Sequence, residues 1–275
     1  MDTWRLIISL PARGAWNMAV DEAILEAAGR GDVPPTLRLY AWQPPCLSLG
    51  HAQPFTDVDV PRLRQRGWEL VRRPTGGRAI LHTDELTYSV IAPAGEPRLA
   101  GGVLESYHRL AQGLLAALRS LGLPVGMQAQ AGAAENGGAN PVCFEVPSIY
   151  EITVQGKKLV GSAQARRKQG VLQHGSLPLG GDLTRITHAL AFPDEAARFE
   201  AARRLLARAT TVESVLGRVV DWETAAQAFI QGFASAMDLT LKREELSPLE
   251  TARAGELVSR KYEHPSWTKK ISRDP

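Results

Sequence analysis

Between Ile149 and Leu179 three strand-like runs follow one another, separated by two short breaks, and this alternation commits the middle of the chain to a β-meander. Residues 149–154 are rich in β-branched and aromatic types, and Gln155-Gly156 is a tight-turn dipeptide ahead of the second run, 158–163. Residues 166–170 read as a polar connection, and 171–179 as the third strand. Lys158 then lies early in the second strand, with His174 and Gly175 near the middle of the third. Cys143 precedes the first strand, so it meets Lys158 only through tertiary folding.

Around the meander the pattern alternates between strands and helices. Residues 4–10 read as a short strand, and 17–28 as an amphipathic helix with Val20, Ile24, Ala27 and Ala28 at helical spacing, stopped by Gly29 and Gly31. Asp21 and Glu22 are read as its wet face rather than as a catalytic pair. A strand-rich region follows over 36–42, 46–49, 68–71, 79–82 and 86–92. Residues 103–121 carry one apolar stripe through Leu110, Leu114, Leu118 and Leu121 and close at Gly122, which makes this the clearest helix. Residues 126–140 have no periodicity and are expected to form a mobile loop, either a lid that orders over a ligand or a tolerated insertion. Helices expected over 195–209, 221–237 and 248–262 cover the sheet, the last opened by a capping box of Ser247 and Glu250 with Pro248 at the first helical position. The tail beyond His264 is expected to be poorly ordered.

Composition narrows the function classes. With 275 residues, 44% hydrophobic and 22% charged, this is an ordinary soluble globular chain. A net charge of +3 permits an acidic partner, but with 6% aromatic residues it supplies no basic aromatic platform for nucleic acid. Cys46 and Cys143 stand too far apart for a disulfide framework or metal-ligand spacing, which points to a reducing, cytoplasmic compartment and no metal. The apolar run at 6–11 is too short for a signal-peptide core, and Pro44, Pro45 and Pro54 interrupt the longest uncharged stretch of the N-terminal half, so no membrane span is expected.

Two stretches carry chemistry. A thiolate is the reactive form of cysteine, and an ammonium beside Cys143 lowers its ordinary pKa of about 8.5, so Cys143 with Lys158 reads as an activated nucleophile that takes an acyl group from a thioester and passes it to an amine. The alternative is a small core hydrophobe and a solvated lysine, and Cys46, without a nearby base, is read as core packing. The second stretch is RRPTGGRAILH at 72–82. There a Gly-Gly turn among Arg72, Arg73 and Arg78 either binds an anion through exposed amides or is a glycine hairpin on a basic face. His82 reads as a base, a substrate-orienting group or a structural histidine.

TLRLYAWQPPCLSLG at 36–50, RRPTGGRAILH, ELTYSV at 85–90, CFEVPSIYEI at 143–152, and GKKLVGSAQARR with LQHGS together resemble the biotin and lipoate protein ligase superfamily, most of all its cysteine-dependent octanoyltransferases. The resemblance covers nearly the whole chain. It implies an α+β fold, a mixed β-sheet flanked by helices, in a single catalytic domain over 1–275 with a core at about 33–245 and a C-terminal helix and tail at 247–275. It also implies that Cys143 forms the thioester and Lys158 lowers its pKa. Arg72, Arg73, Thr75, Gly76 and Gly77 would line the acyl and carrier site, bordered by His82, the strand Gly161-Ser162-Ala163, and His174 with Gly175.

The reaction implied moves octanoate from acyl carrier protein through the cysteine to the ε-amine of a lysine on a lipoyl domain, such as the glycine-cleavage H protein. No cofactor is required, because phosphopantetheine is part of the acyl-carrier substrate. Arg166, Arg167 and Lys168, or the arginines of the Gly-Gly loop, are candidate docking charges for acidic carriers. The competing readings are an ATP-dependent lipoate ligase, for which the chain leaves little room for an accessory domain, an amidotransferase between lipoyl domains, and a non-catalytic acyl-carrier binding protein.

Overall fold

The computed structural model describes residues 2–129 and 150–270. The core about its large sheet is divided in two by the pleat of the central strands, and a third apolar cluster gathers Leu47, Leu49 and Ala79 with Ile186 and Leu205. β1 (Asp2–Ile8), β2 (Thr36–Tyr40) and β6 (Glu85–Pro93) belong to a large sheet, and between them fall β3 (Cys46–Leu49), β4 (Glu69–Arg72) and β5 (Ile80–His82) of a small one. In β2 and β6 Leu37 stands opposite Val90 and Leu39 opposite Tyr88, and these four join one apolar core, while Tyr40 and Ile91 join the other. Alternate residues of a strand face opposite sides, so one sheet serves two helical layers.

The large sheet continues through β7 (Gly126–Ala129), β8 (Tyr150–Val154), β9 (Lys157–Arg166), β10 (Gly170–Pro178) and β11 (Leu239–Arg243). Among the described residues its order is β11-β1-β2-β6-β10-β9-β8-β7, and that of the small sheet β4-β3-β5. β1 is parallel to β11 and β2, and the remaining pairs of the large sheet are antiparallel, so it is mixed, as expected. The meander is present: Gln155 (φ 51°) and Gly156 (φ 77°) both adopt positive φ, which two-residue hairpin turns of the primed type require.

The helices are α1 (Gly14–Arg30), α2 (Val60–Gln65), α3 (Val103–Ser120), α4 (Glu195–Arg208), α5 (Val212–Leu216), α6 (Trp222–Met237), α7 (Pro248–Leu257) and α8 (Pro265–Thr268). α3 and α6 cover one face, with Leu110, Leu114, Phe229 and Phe233 in its core; α1 and α7 cover the other, with Ile24, Ala254 and Leu257. A β-carbon on Gly113 would lie 2.9 Å from the Phe233 ring, and one on Gly232 2.5 Å from the Ala117 nitrogen, so both glycines let α3 and α6 approach. The Ser247–Glu250 capping box opens α7 as the sequence indicates, and Glu250 also forms a buried two-pronged pair with Arg5.

Four expectations are corrected. Asp21 is not on a wet face: α1 is sandwiched between the sheet and α7, and Asp21 is fully buried against Arg38 Nη1 (2.7 Å), Ser89 Oγ (2.7 Å) and Tyr40 Oη (3.1 Å). Residues 126–129 are not loop but β7, paired with β8; residues 130–140 lie outside the described residues. The tail is ordered through residue 270, because Trp267 Nε1 donates to the Arg72 carbonyl and Arg72 returns bonds to the carbonyls of Trp267 and Thr268. The core does not begin near residue 33, since β1 lies inside the large sheet.

Candidate functional site

A narrow cleft opens between the two sheets. β9 supplies Gly161, Ser162 and Ala163 to its wall, and β10 supplies His174 and Gly175. Arg73, Gly77 and His82 enter from the Gly-Gly loop and the small sheet, and Met18, Tyr40, Trp42 and Ile80 provide apolar surface. Gly175 lets Tyr88 and β9 pack close against β10 behind this wall: a β-carbon there would lie 2.5 Å from Tyr88 Cε1 and 2.7 Å from the Gly161 carbonyl oxygen.

Two buried hydroxyl–imidazole–carboxylate chains meet at this cleft. In the first, Ser48 Oγ is 2.8 Å from His82 Nε2, and His82 Nδ1 is 2.6 Å from Glu85 Oε1. The imidazole is stacked on Trp42 at 3.9 Å, and Glu85 also accepts from Thr87 and Ser176. Burial raises the pKa of Glu85, but His82 and the two hydroxyls outweigh it, so the carboxyl is held below its ordinary range. In the second chain Thr75 Oγ1 is 2.6 Å from His174 Nε2, and His174 Nδ1 is 3.5 Å from Asp21 Oδ2. Burial pushes the His174 pKa down against the pull of Asp21, which favours the neutral ring. Asp21 itself is held low, because Arg38, His174 and Ser89 outweigh its burial. On the other face of the sheet Tyr88 lies 2.8 Å from Ser162 Oγ, accepts from Gln173, and its pKa is raised to about 12 by burial. The result is a mostly apolar slot bordered by oriented polar groups.

The expected site residues are not all in one place. Arg73, Gly77, His82, Gly161, Ser162, Ala163, His174 and Gly175 line the cleft. Thr75 touches it only through His174, and Gly76 and Arg72 stand behind it. Nor are the two arginines displayed to a ligand. Arg72 Nη1 donates to the carbonyls of Gly50 (2.8 Å) and Gln53 (2.6 Å), and Arg73 donates to the carbonyls of Ser48, Gly76 and Arg78. They hold the loop's shape, which Gly50 shares because a β-carbon there would overlap the Gly77 carbonyl. Arg166 is likewise turned inward, to Ser106, Gln164 and the Leu99 carbonyl.

Lys158 is buried on β9, and its Nζ donates to Glu151 Oε1 at 2.7 Å across the hairpin. Cys143 lies outside the described residues; they adjoin its segment at Ala129 and Tyr150, which are paired with each other. Cys46 is fully buried and its thiol is pushed well up by that burial, consistent with packing. Sequence reasoning missed Asp21, Ser48, Glu85 and Glu151. Glu85 had a local signal, three residues after His82, whereas Ser48 and Asp21 are joined to their histidines only by the fold.

Comparison with known proteins agrees with this architecture. Residues 13–234 match the lipoyl protein ligase A/B catalytic domain. The chain is 42% identical over 268 residues to the octanoyltransferase LipM of Symbiobacterium thermophilum, covering 96% of this chain and 97% of that one. It is likewise 42% identical over 274 residues to the LipM of Kyrpidia tusciae, covering 97% and 98%. Among solved structures it superposes on a bi-partite lipoate protein ligase from Thermoplasma acidophilum, studied with its E2 lipoyl domain, with a TM-score of 0.82, 24% identity and coverage of 100% of this chain and 99% of the other. A lipoate-protein ligase A bound with ATP gives 0.79 at 23% identity, covering 98% and 100%; both likenesses are of fold. Fold, cleft and relatives converge on one assignment: the chain belongs to the lipoyl protein ligase A/B catalytic-domain family, within its LipM-type octanoyltransferases.

Proposed function

We propose that this protein, acting as one catalytic domain in the cytoplasm, transfers an octanoyl group from acyl carrier protein to the ε-amine of a lysine on a lipoyl domain such as the glycine-cleavage H protein. The observation that carries the reading is full-length similarity to octanoyltransferases at 42% identity, with almost nothing of either chain left uncovered. The character of the cleft supports it: it is narrow, mostly apolar and bordered by glycines, which suits an unbranched acyl chain better than a charged ligand.

In this reading the Cys143 thiolate attacks the carbonyl carbon of the octanoyl thioester. The bond from that carbon to the carrier sulfur breaks, and the carrier leaves as a thiolate that takes up a proton. The neutral acceptor amine then attacks the enzyme thioester, the bond to Cys143 sulfur breaks, and the nitrogen loses a proton to leave an amide. Lys158 is assigned to favour the Cys143 thiolate, and Glu151 to fix where its Nζ points. Arg73, Gly77 and the β9 and β10 residues shape the acyl slot, with His82 and His174 as its oriented imidazoles, while Arg72, Thr75 and Gly76 support the loop from behind.

The test is transfer to a purified lipoyl domain. Octanoyl carrier protein without ATP should give a domain heavier by one octanoyl group. Modification only with free acid and ATP would make the protein a ligase and remove the reading.

A further inference from the structure

Residues 265–270, the described part of the expected tail, pack with Lys261 on the outer side of the Gly-Gly loop. Lys261 and Lys270 each lie over the Trp267 ring, with Nζ 4.2 and 4.4 Å from its centroid. Lys270 Nζ also donates to His51 Nε2 at 2.8 Å, which leaves the proton of that imidazole on Nδ1. Arg72 reaches the same spot through the carbonyls of His51, Trp267 and Thr268, and Arg167 through that of Pro74. Three segments far apart in sequence therefore bring cations together beside His51.

Their charge is poorly compensated. Glu22 accepts from Lys261, but among the described residues Arg72, Arg167 and Lys270 are paired with carbonyls or an imidazole, not with a carboxylate. The crowding is felt by its members: burial first, then neighbouring cations, lowers the pKa of both His51 and Lys270. Positive charge gathered at this cost, beside an aromatic face, is what an anion site requires.

The cluster is one residue thick from the acyl cleft. Thr75 Oγ1 meets His174 on the cleft side, while the Thr75 carbonyl accepts from the His51 amide on the other (2.8 Å). An arm that runs from the cleft across residues 74–77 meets these cations, and the nearest fixed negative charge on a phosphopantetheine arm is its phosphate.

We propose that the cluster of Lys270, Arg167, Lys261 and His51 around Trp267 binds the phosphate of the donor's phosphopantetheine arm. The proposal rests on the acyl-transfer reading above. It assigns the C-terminal segment to donor recognition, with the arginine pair of the loop as its scaffold.

The experiment compares two protein-free donors, octanoyl-phosphopantetheine and octanoyl-pantetheine, in transfer to a lipoyl domain, with octanoyl carrier protein as the activity control. The wild type should prefer the phosphorylated donor in kcat/KM. Lys270→Glu should reduce that preference by about tenfold, through KM rather than kcat, and Lys270→Arg should retain most of it. Thermal unfolding of each variant guards against loss of fold, with Arg167→Ala as the second variant if Lys270→Glu does not fold. A wild type indifferent to the phosphate, or a preference unchanged in the folded variant, overturns the proposal. So does a defect confined to octanoyl carrier protein, which would assign the cluster to carboxylates on the carrier's surface. Absence of transfer from all three donors by the wild type would instead bring down the acyl-transfer reading itself.

Discussion

The two sides of the Gly-Gly loop use the same kind of charge for opposite ends. On the inner side Arg72 and Arg73 are buried and surrounded by carbonyl oxygens, so their guanidinium groups fasten backbone to backbone. On the outer side Arg167 is exposed, Lys270 is half-buried, and their bonds to protein leave charge uncompensated. A guanidinium has donors in a rigid fork and satisfies several carbonyls at once, which suits the inner role; a flexible ammonium suits capture of an incoming anion. An arginine pair beside two glycines therefore does not by itself mark an anion site: where its donors go decides.

The largest effect that sharpens this contrast is expected at Arg72. Arg72→Ala strands the carbonyls of Gly50, Gln53 and Thr268, and should lower unfolding stability by about 3 kcal/mol or more in denaturant titrations. Arg72→Lys should fail to restore it, because one ammonium cannot span both segments. Lys270→Ala, in contrast, should stay within about 0.5 kcal/mol of the wild type. Equal losses at the two positions would erase the distinction. Next in size, Gly175→Ala places a methyl against Tyr88 and the Gly161 carbonyl; it should cost about 1–3 kcal/mol and suppress acyl loading by displacing β10 at the cleft wall. Unchanged loading would move the acyl site elsewhere.

The smallest effect is a pH dependence from the inner side. Burial lowers the folded pKa of His174 below its ordinary value of about 6.5, with Asp21 pulling it up and Arg73 and His82 pushing it down. The unfolded chain therefore takes up this proton first as pH falls. The stability contribution is complete above about pH 6.5 and is lost below it. Asp21 and Glu85, held low in the folded state, lose theirs in the same direction but in the more acidic carboxylate range. The melting temperature should fall between about pH 7.5 and 5.5, and His174→Asn should flatten that slope; an unchanged slope would mean the ring titrates normally.

Much of this was legible in the sequence where the signal is local. The strand runs, the Gln155-Gly156 turn, the stripe of α3 and the Ser247 box all depend on neighbours within a few residues, and each was found in place. Gly161, Ser162, Ala163, His174 and Gly175 are neighbours because adjacent strands of the meander bring them into register, whereas their place in a site was implied by the family resemblance alone. What escaped depends on partners far along the chain. Asp21 is buried because Arg38 and Ser89 come to it from two strands, and a helix between two layers has no wet face for a charge to mark. The tail looked disordered because it is polar and terminal, yet one arginine and one indole nearly two hundred positions apart tie it down. Residues 126–129 lack strand composition and are held by pairing with β8.

The central claim is that Cys143 carries the acyl group, and intact mass tests it most directly. Mixed with octanoyl carrier protein in the absence of ATP, the wild type should gain one octanoyl group that hydroxylamine removes, and Cys143→Ala should gain none. An adduct that persists in Cys143→Ala, or a wild type that never becomes acylated while still modifying a lipoyl domain, would contradict the account.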